Sequence, residues 1–111
     1  MALTKVTGEG VGTLSSSGAT TATFNRTTSD GTIVDLKKDG TTVGSIQTKD
    51  SRLFINGSQG STPAGIYFGG GGDVLPASTT NAVDNSISLG GTGHRFKDLY
   101  LSGGVYLGGT G

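Results

Sequence analysis

The chain has 111 residues, eight basic and eight acidic, for a net charge of zero, and it contains no cysteine. One domain is the natural allotment for that length. The composition excludes a disulfide framework and a thiolate zinc site, and it lacks the basic excess that nucleic-acid and anionic membrane partners select. No apolar run is long enough to span a bilayer, and the N-terminus lacks the apolar core of a signal peptide.

Glycine (22), threonine (17) and serine (12) dominate the composition. Leu, Ile, Val and Phe together number 25. That share is just above the level of about 20 % where disorder sets in, but disorder usually also requires high net charge. The expectation is an ordered chain that is poor in core. With neither disulfides nor metals at hand, oligomerisation is the usual remedy.

Residues 1–20 form a Gly/Ser/Thr-rich lead-in, linker-like in composition. TATFNRT (21–27) predicts a first strand, and Asp30-Gly31 a turn. TIVDLKK (32–38) alternates, with Ile33, Asp35 and Lys37 on one face and Val34 and Leu36 on the other. Asp39-Gly40 has the chemistry of a tight hairpin turn. TTVGSIQ (41–47), a polar turn at 48–51, and RLFIN (52–56) ending at Asn56-Gly57 complete an antiparallel meander over 21–57. No window has the apolar spacing of a helix. Residues 57–65 read as a loop and 69–86 as mostly irregular.

The last third, 58–111, repeats one local pattern: IYFGGG from Ile66, ISLGGT from Ile87, LYLSGG from Leu99 and VYLGGT from Val105. Each is an apolar-x-apolar triplet followed by small residues. The start-to-start spacing is uneven, which argues against a uniform hexapeptide solenoid. In each triplet the outer residues share a face and the middle one points away.

Candidate chemistry is thin. GGGG at 69–72 and GGTG at 90–93 could suggest a phosphate cradle, but no helix is predicted after either. They read as glycine corners. His94 is the lone histidine, too little for a metal site within one chain. Three copies could form a ring around an ion, but a solvated turn residue beside Arg95 is the plainer reading. Among the carboxylates, Asp30, Asp39 and Asp50 sit where turn chemistry expects them, and no pair stands out as catalytic. The sequence therefore assigns no catalytic, cofactor-binding or metal residues and predicts a protein that is not an enzyme.

SLGGTGHRFKDLYLSGGVYLGG (88–109) resembles the RFKDLYLSG-containing segment of bacteriophage tail fibres and tailspikes. That segment typically lies upstream of an endosialidase-type intramolecular chaperone domain. The meander 23–57 looks like the repeats of such fibres. GVGTLSSSGATTATF (10–24) is similar to their lead-in, with Ser16-Ser17 where a proline is usual. The resemblance implies an elongated all-β homotrimer, a β-meander followed by an intertwined, triple β-helix-like segment. Its place would be in the virion, outside the host cell, as part of the attachment apparatus. Partners would be other copies of itself, other fibre domains and the tail, and a host surface glycan, with neither nucleic acid nor membrane insertion. Neither a chaperone domain nor a virion-attaching domain lies within these residues, so the expectation is a shaft segment.

On this reading Leu99, Leu101, Val105, Leu107, Ile66, Phe68, Ile87 and Leu89 form layers facing the three-fold axis. Phe96 and Tyr100 pack between chains. The rival function is a carbohydrate-binding tip that uses Tyr67, Tyr100 and Tyr106 as exposed stacking faces. A stalk of a bacterial trimeric adhesin has the same composition, and a monomeric hexapeptide β-helix is disfavoured by the hairpin turns.

Overall fold

A computed structural model describes Gly8, Gly10 and residues 12–108. It is all-β: five antiparallel strands form one open sheet, and the described residues include no helix. The strands are β1 (Gly31–Lys38), β2 (Thr41–Lys49), β3 (Arg52–Gly57), β4 (Gly65–Phe68) and β5 (Val74–Ala77), and they lie side by side in chain order. The molecule is elongated, 60 × 33 × 31 Å. Its radius of gyration is 18.0 Å, against about 13 Å for a compact domain of similar length.

Two hairpin turns drive the front of the meander. Asp39 and Gly40 both have left-handed backbone, at φ 50° and 79°, as a two-residue turn matched to strand twist requires. Asp50 and Ser51 do the same at φ 51° and 60°, though neither is glycine. The Asp30 carboxylate supports them by accepting the N–H of Asp50 at 2.6 Å and of Ser51 at 3.4 Å.

The register assigns the two faces. Phe54 pairs with Tyr67, Ile55 with Ile66 and Asn56 with Gly65. Tyr67 in turn pairs with Leu75, Ile66 with Pro76 and Gly65 with Ala77. One face therefore carries Phe54, Asn56, Tyr67, Leu75 and Ala77, and the other carries Leu53, Ile55, Ile66, Phe68, Val74 and Pro76. The core is on the first face. Phe54 is 1 % exposed and Tyr67 8 %, their rings stacked with centroids 4.2 Å apart. After β5 the chain turns back, with Ser78 donating its N–H to Asn81 O and Val83 donating to Pro76 O. This strap closes over Ala77 and Asn56, both buried.

Several expectations need correction. TATFNRT is not a strand. Instead Arg26 donates to Ser29 O at 2.9 Å and to Thr32 O at 3.3 Å, pinning a bend before β1. That bend is a γ-turn at Thr28 (φ 79°), where Ser29 N–H reaches Thr27 O. The turn expected at Asp30-Gly31 thus lies two residues earlier, and Gly31 opens β1. Asn56-Gly57 is not a turn either. The buried Asn56 amide accepts from Gln47 Nε2 at 2.9 Å and donates to Ser78 O, while Gly57 donates its N–H to Ala64 O, so the strand runs through both. Within the stretch expected to be mostly irregular, Val74–Ala77 forms β5. Of the four triplets only IYF is a strand. ISL, LYL and VYL carry no ladder, and the one pairing nearby is the small bridge Gly91↔His94. The lead-in falls partly outside the described residues and includes no strand within them.

Candidate interaction surfaces

The sheet buries its aromatic pair and leaves its aliphatic face open. Leu53, Ile55, Ile66, Phe68 and Val74 are all exposed on that face. A groove of about 600 Å³ runs along it, and Ile87 and Leu89 join Ile55, Ile66, Val74 and Pro76 in its walls. Ile66, Ile87 and Leu89, three of the residues expected to face the axis, are therefore brought together in one chain. Leu89 also borders a second groove, of about 790 Å³, with Phe96 and Leu99. The two grooves share that leucine, and Arg95, Lys97 and Asp98 also line the second.

The remaining triplet residues stand free. Leu99, Leu101, Val105 and Leu107 are exposed, and Tyr100 and Tyr106 are 89 % and 98 % exposed. The expectation that Tyr67 offers a stacking face is overturned. Strand alternation turns its ring onto Phe54, and its hydroxyl accepts from Arg52 Nη1 at 3.2 Å. Leu53 and Ile55 were not expected to belong to the apolar surface. The signal was in the alternation of RLFIN, once its partner strands are known.

The polar groups are arranged for structure. His94 is exposed in the tight turn 91–94, where Gly91 and His94 exchange backbone hydrogen bonds at 2.9 and 3.1 Å. Asp35 accepts from the Thr42 hydroxyl at 2.9 Å and pairs with Lys37 at 3.2 Å, and both contacts lower its pKa. Asp30 is subject to opposed influences. Desolvation pushes its pKa up, but the N–H groups of Asp50 and Ser51, the Thr48 hydroxyl and the Lys49 charge outweigh it and bring the pKa below 3.8. Among the described residues no group of three or more His, Cys, Asp or Glu side chains could hold a metal ion.

Comparison with protein-family models, with curated proteins and with solved structures finds no match.

Proposed function

We propose that this chain is a non-enzymatic structural segment of a homotrimeric viral tail fibre or tailspike, presenting receptor-binding elements for host-cell attachment. One observation carries the reading: the chain leaves far more surface in water than a folded monomer does. It exposes 9504 Å², whereas a compact monomer of its mass exposes roughly 5,600 Å². Residues 12–30 and 91–108, exposed throughout, share that excess with the aliphatic sheet face, and they include the leucines of the last two triplets. Three copies around an axis bury such residues against one another in a closed cyclic assembly. The narrow layers that result suit a rod, in keeping with the elongated shape. The RFKDLYLSG resemblance supplies the virion setting and the role in attachment.

Leu101→Asp and Ser102→Asp test the reading. Both add one carboxylate to the same turn of chain, but only the first charges an axis-facing layer. The expected outcome is loss of the trimer for Leu101→Asp and its retention for Ser102→Asp, followed by solution mass. Two variants that both stay trimeric with unchanged melting contradict the assignment.

The exposure of Tyr100 and Tyr106 favours a second reading, a carbohydrate-binding tip in which these rings stack on sugar faces. A glycan screen on the assembled protein separates the two. Binding that Tyr100→Ala or Tyr106→Ala abolishes supports the tip, and absence of binding supports the shaft. A bacterial adhesin stalk shares the architecture and differs only in setting.

A further inference from the structure

Copies of an open sheet can meet along its edges or across a face. Both edges here are blunted. β1 is irregular at two points of its register and carries Asp35, Lys37 and Lys38. Such edges resist pairing with another strand. β5 is four residues long, holds Pro76 with no N–H to donate, and already spends the Pro76 carbonyl on Val83.

The aliphatic face is the opposite case. β3, β4 and β5 place no charged side chain on it, so identical faces can meet without repulsion between like charges. At its end Leu89 is shared with the second groove, where Phe96 and Leu99 stand beside Arg95, Lys97 and Asp98, charges of both signs. Leu53, Ile55, Ile66, Phe68 and Val74 are exposed side by side on the aliphatic face, an apolar patch on the order of a few hundred Å², the size that marks a protein interaction site. We infer that this face is a homotypic interface: the partner is a second copy of the chain, and the same face of each copy, centred on Ile55 and Ile66, turns inward. The edges of the sheet and the Phe54–Tyr67 face point away from the junction. The inference rests on the trimeric reading for the number of copies, but the contact surface is its own.

The absence of cysteine makes the test clean. Single variants Ile66→Cys, Ile55→Cys and, on the β1 edge, Lys38→Cys are treated with a bismaleimide spanning about 10 Å, the spacing of sheets packed face to face. Solution mass is measured in parallel. The expected result is covalent dimers on denaturing gels for Ile66→Cys and Ile55→Cys and none for Lys38→Cys. A trimeric mass with cross-links only through Lys38→Cys, or through none of the three, overturns the inference and leaves the trimeric reading standing. Cross-links through Ile66 at a mass other than trimeric keep the interface and overturn the count. A monomeric mass without cross-links overturns both.

Discussion

At the scale of single residues, Asp30 does more than its place in a turn-like dipeptide suggests. It reaches twenty residues along the chain to accept the N–H groups of a hairpin whose two turn residues, Asp50 and Ser51, both hold left-handed backbone without being glycine. Its pKa is lower in the folded state than the ordinary 3.8. The folded protein therefore binds fewer protons than the unfolded chain as the pH approaches that value. The stabilisation is complete above it and is lost as pH falls through the folded pKa. Asp35, lowered by Thr42 and Lys37, acts in the same direction. Thermal unfolding followed from about pH 5 to about pH 3 should show a falling melting temperature. Asp30→Asn should start lower and fall less over the same range. An identical slope in the variant would show that this carboxylate is not responsible.

At the scale of the element, close backbone approach explains why the centre of the sheet is rich in glycine. A Cβ on Gly65 would stand 2.7 Å from Ile55 O and nearer still to the Asn56 amide, and one on Gly44 would stand 2.7 Å from Asn56 O. Gly65 pairs with Asn56 across one ladder, and Gly44 pairs with the next residue, Gly57, across the other. Gly65→Ala should therefore destabilise the protein by about 1–3 kcal/mol, the usual range for overpacking, as measured by denaturant unfolding. Gly60→Ala is not a neutral control, because its φ of 93° is itself left-handed. Gly91, with open space around its missing Cβ, is the better one. The meander from Thr32 to Asn56 was legible because its turns are local: Asp39-Gly40 needs only its own two residues. What was not legible depends on distant partners. Asn56-Gly57 has turn chemistry, yet Gln47 and the strap carbonyl of Ser78 satisfy the amide and hold it in a strand. TATFNRT has strand composition, yet Arg26 spends its guanidinium on the backbone of Ser29 and Thr32. Tyr67 looked like a ligand face because it is the middle residue of its triplet and points away from Ile66 and Phe68, and only the pairing with Phe54 shows that this side of the sheet is the buried one.

At the scale of the whole molecule, the chain folds a sheet but buries only one side of it. The buried side is small, an aromatic pair with Ala77 and a partly buried Leu75. Among the described residues, the larger aliphatic side is flanked only by Ile87 and Leu89, and the last two triplets are exposed. The sequence pattern pointed to this shortage, since leucines separated by glycines have no core to face. It could not show that Leu53 and Ile55 belong to the same surface, because that depends on the register of β3 with β4. On the trimeric reading, other copies of the chain supply the missing core. Solution mass from light scattering, repeated through serial dilution, measures this. The expected result is three times the mass of 11.0 kDa, held on dilution. A stable, monodisperse monomer across the same range would contradict it.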